Sequence, residues 1–526
     1  MKRRFYHLIV LATVMAGMAV ACQKERPDGM MLVAEGFGDG KAAVEGNHCY
    51  WAENDSVRIN GVDYGVQLDG MTAYVTGVPG AGTYRALYPN SLNRSASLDG
   101  NTVEVTIPST YVYRKSGDLQ VVDVPMAAIG NGSERLYFQH LTAAVTVEII
   151  NNFGIDITVD SVVVVSDNYQ ICGSRTVTLA NPIEVSAVAS DAGAQKRVTV
   201  LFNGGTALTV ASGDTAQVQV PVLPVGDGNK FTVKVATHNA GDTEMKYTFE
   251  RKQTTGGALQ RKYIAYASAK FGGVFSVSAD KKVRFAPGNL QYYCSSFAPK
   301  WRFAQNQKDV VMFKGSAYGS NTGEWIDLFG FGTSGRGSFY PYLTSTDVSK
   351  YYHESDISGT NWDWGWYNTI ENGGNADSVW RMLTKNEWSY LLSSRTNNSQ
   401  KRAGGQVDGV KGLILIPDDF IVPEGLSFSG GTYTPNTTNI YSLEEWGKME
   451  VDGAVFLPMT GYRYNTTQEG TGMGYYWTDR LSSTSSNKYK ANYIKLSTDG
   501  SPSVSSGTSD YPISYGCAVR LVRDVQ

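Results

Sequence analysis

Period-two alternation recurs along the first half of the chain and is broken each time by a turn. It limits the possible folds more than any other feature. Ser56-Val57-Arg58-Ile59 alternates and ends in Asn60-Gly61, a hairpin signal because both residues tolerate the positive φ of a tight turn. Thr83 to Tyr88 alternates around Tyr84, Ala86 and Tyr88 before Pro89, and Thr102 to Ile107 alternates until Pro108. From Thr142 to Ile150, Ala144, Thr146, Glu148 and Ile150 alternate against Val145, Val147 and Ile149. Ser161 to Val165, Arg197 to Phe202, Ala216 to Val222 and Lys230 to Ala236 continue the pattern to about Tyr266. Strands at this spacing, with no 3.6-residue periodicity, predict β-sandwiches. The composition agrees: 57 Gly and 32 Tyr, 42% hydrophobic and 18% charged residues in 526, describe a folded chain of about three domains.

The N-terminus carries an export signal. Lys2, Arg3 and Arg4 precede an apolar run from Phe5 to Ala21, interrupted by His7 and Thr13, short for a membrane span. The run ends Ala19-Val20-Ala21-Cys22 and resembles a bacterial lipobox, which implies cleavage after residue 21 and lipidation of Cys22. An ordinary signal peptide cleaved nearby is the alternative. Cleavage removes three cations and no anions, taking the formal charge from −3 to −6. That balance speaks against nucleic acid as a partner, because phosphate binding needs clustered positive charge. Attachment to the membrane would come from acyl chains.

The second half is different. Nine of the ten Trp lie after residue 300, so a boundary is expected near Phe271-Gly272-Gly273. Thr384 and Glu387 form a capping box ahead of Trp388, Leu391 and Leu392, predicting a short helix from Lys385 to about Ser393. Ser442 and Glu445 repeat the device ahead of Trp446. Gly453 to Pro458, Tyr475 to Thr478 and Gly516 to Arg523 read as strands.

Two resemblances rest on these residues. Trp51 to Val57, Tyr84 to Pro89, Ile107-Pro108, Val124 to Ala127 and Phe138 to Ala144, in that order, are similar to the fimbrillin-like family of Bacteroidetes, subunits of type V pili. The resemblance covers about residues 30–270. It implies two transthyretin-like β-sandwiches, a lipoprotein precursor exposed at the outer membrane, and assembly by strand exchange after cleavage at an Arg. Arg26 and Arg58 are the early arginines, and Arg58 falls inside an expected strand. In the second half, "RMLTKNEW", "GAVFLP", "YYWT" and "GCAVRLVRD" resemble C-type-lectin-like domains of the sulfatase-modifying-factor kind. The resemblance implies an α+β domain whose chain ends pair, which would bring Cys294 and Cys517 close enough for a disulfide. Two unpaired buried thiols are the alternative. "RMLTKNEW" and "VRLVR" also resemble formylglycine-generating enzymes, but those use a pair of Cys near the C-terminus, and Cys517 stands alone in the last 200 residues.

The expected fold is therefore mainly β: a signal peptide over residues 1–21, a lipidated linker over 22–29, sandwiches over 30–140 and 141–270, and a C-type-lectin-like α+β domain over 271–526. Asn361 to Tyr367 contains Trp362, Trp364 and Trp366, which would share one face of an extended segment and form an aromatic platform, or else fill a core. Asp363, Asn368, Asn372 and Asn375 offer oxygen donors without EF-hand spacing. Phe329 to Gly337 is Gly-rich without a phosphate-loop Lys and reads as an exposed loop. His353 is the one His after residue 238, and His140 reads as packed. Glu387 and Glu445 read as caps rather than acid–base carboxylates. No catalytic residue, metal or cofactor is expected. The function expected is adhesion by a surface lipoprotein, as a minor or tip component of a type V pilus, binding a glycan or a host or bacterial surface protein through residues 271–526. The alternatives are a free-standing binding lipoprotein and a formylglycine-generating-type relative without its Cys pair.

Overall fold

The structure is a computed structural model. It describes residues 29–35, 51–52, 55–70, 72–116, 119–121, 123–132, 134–186, 196–205, 207–482, 489–506 and 509–525. Cys22 and the export signal lie outside the described residues. The chain is mainly β and forms two compact units, one of residues 1–107, 123–143 and 173–192, the other of 108–122, 144–172 and 193–526.

The first unit is built on an eight-stranded sheet. From edge to edge it runs Val62–Gly65, Ser56–Ile59, Tyr84–Tyr88, Met126–Gly130, Arg135–His140, Met30–Ala34, Thr72–Val75 and Gln67–Asp69. Ser56–Ile59 and Val62–Gly65 form the expected hairpin, with Asn60 (φ 46°) and Gly61 (φ 83°) in the left-handed conformation that the turn needs. Both edge strands are short, which limits the unpaired backbone presented to other chains. Met30, Leu32, Val57, Ile59, Tyr84, Ala86, Tyr88, Met126 and Phe138 meet in one core. Trp51 packs edge-on against Tyr88 and Phe138, at centroid distances of 5.0 and 5.2 Å. Thr102–Ile107 buries Val103, Val105 and Ile107 on one face, as its alternation requires, and pairs along its length with Gly173–Thr178.

The second unit opens with a sandwich. Ala143–Asn152 lies between Thr215–Val222 and Ile264–Gly272, parallel to the latter. The facing sheet runs Asp242–Lys252, Phe231–Asn239, Ile157–Ser166, Arg197–Leu201 and Thr110–Val112. Val145, Val147 and Ile149 from one sheet and Val162, Val164, Val233 and Val235 from the other are buried. Gly272 and Gly273 then turn a tight corner. A Cβ at Gly273 would lie 2.4 Å from Cγ of Pro417, and one at Gly272 (φ 75°) 2.6 Å from Phe153. The glycines serve close packing here as well as marking the composition shift.

Beyond the corner the strands are short and the loops long. Lys282–Phe285 pairs with Leu521–Asp524, so the two ends of residues 271–526 meet in one sheet. Both capping boxes form. The Thr384 hydroxyl accepts from the Glu387 N–H, and the Glu387 carboxylate accepts from the Thr384 N–H; Ser442 and Glu445 do the same. They start the helices Lys385–Ser389 and Leu443–Val451. The first continues as a wider turn over Tyr390–Ser394 that buries Leu391 and Leu392. Trp388, Leu391, Leu392, Phe285, Leu413, Leu457, Tyr476 and Val522 belong to the main core of this part. Among the described residues, no helix is long and apolar enough to cross a membrane.

Candidate functional site

The Trp-rich segment does not form the three-ring platform. The Asp363 carboxylate accepts the Gly365 N–H (3.1 Å) and starts a one-turn helix, Trp364–Tyr367. Trp364 and Trp366 lie on this turn, where successive residues rotate by about 100°, and so point in different directions, while Trp362 precedes the cap. Trp364 is fully buried, its indole N–H donating to the Thr333 carbonyl at 2.9 Å, and fills the core. Trp362 and Trp366 are half-buried. Trp362 stacks on Tyr352 (4.2 Å, 20°), meets the edge of Phe339 at 5.2 Å and lies under the Arg336 guanidinium at 5.0 Å. It staples loops together rather than offering a bare face. The Gly-rich stretch also differs from expectation: Phe329, Phe331, Thr333 and Ser334 are buried, and Gly330 lies against the Tyr351 ring.

The oxygen donors near this turn are engaged in the fold. Oδ2 of Asp363 accepts from the Gly359 and Met382 N–H groups at 3.0 and 2.8 Å. Burial outweighs these bonds and pushes the Asp363 carboxyl up to about 7. The Asn372 side chain brackets Phe303, accepting its N–H at 2.7 Å and donating to its carbonyl at 2.9 Å. Asn368 donates to the Ser334 and Trp364 carbonyls, and Asn375 occupies a left-handed turn position. Among the described residues, no group of three His, Cys, Asp or Glu side chains is placed to hold a metal ion.

Cys294 and Cys517 are both buried and carry free thiols, so the disulfide considered between them is not formed. Burial raises both thiol pKa values, most strongly at Cys517, which leaves neither as a ready nucleophile. The His353 ring lies 2.6 Å from the Tyr351 carbonyl through Nδ1. His140 is buried, with Nε2 2.7 Å from the Glu35 carbonyl. Glu387 caps its helix and also receives a two-pronged bond from Arg381, at 2.7 and 2.8 Å. Arg381 in turn reaches Asp524 at 2.6 Å. The "RMLTKNEW" segment is thereby tied to the last strand.

Among the described residues, two surface features stand apart from these engaged groups. One is an open groove of about 610 Å³ between strand Asp242–Lys252 and helix Leu443–Val451. Lys246, Lys252, Lys448, Glu250, Glu444 and Asp452 line it with charges of both signs. The other is a ridge of tyrosines around the strand Tyr462–Tyr464, absent from the sequence-based candidates. Its one visible signal in the sequence is the alternation Tyr462-Arg463-Tyr464.

No family model matches the chain, and no curated protein matches it. Solved structures give distant likenesses. A candidate cell adhesion protein from Bacteroides ovatus is 11% identical over 46% of this chain and 91% of its own, with a TM-score of 0.26. A candidate cell adhesion protein from Bacteroides uniformis is 14% identical over 47% and 94%, with a TM-score of 0.25. A fimbrial protein from Bacteroides ovatus is 10% identical over 94% of this chain and 99% of its own, with a TM-score of 0.22. At such scores the likenesses carry no argument about this chain's fold or role.

Proposed function

We propose that this chain is a bacterial outer-membrane lipoprotein, anchored through Cys22, that acts in adhesion as a minor or tip component of a type V pilus. One observation carries the reading. Several residues on which the fimbrillin-like resemblance rests pack together in the first unit: Tyr84, Ala86, Tyr88, Met126 and Phe138 share one core, with Trp51 edge-on to two of them. A resemblance spread along the sequence thus converges on one packing solution. Residues 271–526 would supply the binding surface for a glycan or a surface protein. The test is immunogold electron microscopy with antibodies to residues 271–526, on cells carrying the wild type or Cys22→Ser. Gold at filament tips, with loss of palmitate labelling in Cys22→Ser, is the expected result. Gold confined to the cytoplasm, or unchanged palmitate labelling, overturns it.

A free-standing surface adhesin is favoured by one specific feature. Arg58 sits inside the strand Ser56–Ile59 with its guanidinium bonded to Asp63 and to the Ala96 carbonyl, both at 2.8 Å, a poor substrate for an Arg-directed protease. Gold spread over the cell surface without filaments would select that reading. The formylglycine-generating reading has the least support, because Cys517 is buried with its thiol pKa raised.

A further inference from the structure

The tyrosine ridge is assembled from two segments in the second half of the chain, Tyr462–Tyr464 and 511–515, over a floor supplied by two others. Alternation along Tyr462–Tyr464 puts Tyr462 and Tyr464 on one side and Arg463 on the other. Arg463 is fully buried. Its guanidinium donates to the Asn465 and Leu343 carbonyls, each at 3.0 Å, and fixes the strand from beneath. Arg463 and Gly516 exchange two backbone hydrogen bonds, at 2.7 and 2.8 Å, which brings Tyr515 alongside. The Tyr462 and Tyr515 rings lie parallel, 5.2 Å apart and within 3°. Tyr464 meets Tyr515 edge-on at 5.3 Å, and Tyr511 meets Tyr462 and Tyr515 edge-on, each at 5.1 Å. Tyr475 and Tyr493 form a buried floor under Tyr511, with centroids 5.3 and 4.2 Å away. Tyr464 is exposed, and Tyr462, Tyr511 and Tyr515 are half-buried. The rings are held by the fold before any ligand arrives, so little ordering remains for binding to supply.

The chemistry of the ridge narrows its occupant. Each ring brings a flat apolar face and a hydroxyl, a combination that gives large contact area with few rotatable bonds. Burial and the neighbouring rings raise the Tyr462 and Tyr515 pKa values, so these hydroxyls stay protonated and able to donate. Glu469, which is exposed, acts on Tyr462 and Tyr515, and Asp510 acts on Tyr493, whereas the Arg463 guanidinium is buried on the other side of the strand and engaged by backbone carbonyls. Lys495 is paired in register with the buried Tyr475 and shares its face of the sheet. An exposed carboxylate beside Tyr462 and Tyr515, with the Arg463 guanidinium buried and engaged, disfavours sulfated, phosphorylated or sialylated ligands. A protein-binding centre would add aliphatic, Met or Arg anchors, and the ridge consists of tyrosine alone.

We propose that Tyr462, Tyr464, Tyr511 and Tyr515 form a binding ridge for a neutral polysaccharide, whose C–H faces lie on the rings and whose hydroxyls bond the phenols and Glu469. The proposal deepens the adhesion reading and rests on it only for where the chain is displayed.

The test uses the purified full chain and an array of neutral gluco-, manno- and xylo-oligosaccharides, with sialyllactose and heparin fragments as the anionic arm. Binding to a neutral series is expected. Tyr464→Ala and Tyr515→Ala should each weaken it about tenfold or more, equivalent to ~1.4 kcal/mol. Tyr464→Phe should stay within about threefold of the wild type, and Phe297→Ala, at a side chain 91% exposed elsewhere in residues 271–526, should match it. Near-UV circular dichroism checks that each variant is folded. In the unmutated chain, the bound oligosaccharide should protect Tyr464 from nitration. Binding to the anionic arm alone, no binding to any neutral series, unchanged affinity in both alanine variants, or loss in Trp362→Ala with the tyrosine variants intact would each overturn the ridge. Cell adherence that survives deletion of the chain would instead overturn the adhesion reading and leave ridge binding by the purified protein untouched.

Discussion

Asp363 decides whether the Trp-rich turn holds its shape, and its removal has a calculable effect. Its carboxylate accepts three backbone N–H groups, those of Gly359, Gly365 and Met382, at 3.0, 3.1 and 2.8 Å. Asp363→Ala leaves these donors without a partner in a buried site. Each orphaned amide costs roughly 1–3 kcal/mol, part of which relaxation recovers, so a net loss of about 3–5 kcal/mol is expected at pH 5. The dependence on pH has a defined sign. The folded-state pKa of Asp363 is raised from 3.8 to about 7. Between those values the folded state holds more protons than the unfolded state, so this group's contribution to stability falls as pH rises through the window. The fall from pH 5 to pH 8 is roughly 2–3 kcal/mol for such a shift. The alanine variant lacks that penalty. Its deficit should therefore shrink to about 1–2 kcal/mol at pH 8. Urea melts of wild type and variant at the two pH values measure the deficit. Hydrogen exchange at the Gly359 and Met382 amides, corrected for intrinsic rates, localises it. A deficit under about 1 kcal/mol at pH 5, or one that grows toward pH 8, would refute the reasoning.

Two further outcomes follow from the same part of the chain. Arg381→Ala leaves Glu387, whose side chain is 10% exposed, without its two-pronged partner, and should lower stability by about 3 kcal/mol. Arg381→Lys should recover less than half of that, because an ammonium cannot span both oxygens of Glu387 and Asp524 together; a lysine variant as stable as the wild type in urea melts would contradict it. Cys294 and Cys517 should both resist maleimide in the folded chain and react once it is unfolded without reductant, as mass spectrometry of labelled peptides would read. Failure to label after unfolding would mean that the two are bonded.

The features legible in the sequence are those whose causes lie within a few residues. The Asn60-Gly61 hairpin and the capping boxes at Thr384 and Ser442 form where expected, because turn conformation and cap bonds are local. Alternation along Thr102–Ile107 fixes its buried face for the same reason. The Trp segment misleads because its apparent period of two competes with a stronger local rule. Asp363 is an N-cap, and once it starts a turn the period becomes that of a helix. The Gly-rich stretch from Phe329 misleads in the opposite way, since its glycines make room for Tyr351 and Tyr352 rather than exposing the loop. The tyrosine ridge leaves only the alternation Tyr462-Arg463-Tyr464 as a trace in the sequence. Tyr462, Tyr475, Tyr493, Tyr511 and Tyr515 meet only after separate strands pair, and nothing local to any of them encodes that meeting.

Strand order in the first unit bears on the choice between a pilus subunit and a free-standing adhesin. Met30–Ala34 is an interior strand, parallel to Arg135–His140 on one side and antiparallel to Thr72–Val75 on the other. Met30 and Leu32 point into the core, each 3% exposed. Loss of this strand would expose two sheet edges and the site of two buried side chains, worth roughly 1.5–3 kcal/mol apiece in burial alone. Such a gap is what an incoming strand of similar pattern could fill, since alternate side chains supply the fit and the backbone supplies the hydrogen bonds. Cleavage at Arg58 would achieve more than this: it would also cut through Ser56–Ile59, which pairs with Val62–Gly65 and Tyr84–Tyr88 and contributes Val57 and Ile59 to the same core. A subunit opened there would lose two strands of the sheet instead of one. Strand exchange in this chain therefore calls for a cut between Ala34 and Ser56, and Lys41 is the one Lys or Arg in that interval. An Arg-specific protease has no site there, which weighs toward display of the intact first unit on the cell surface.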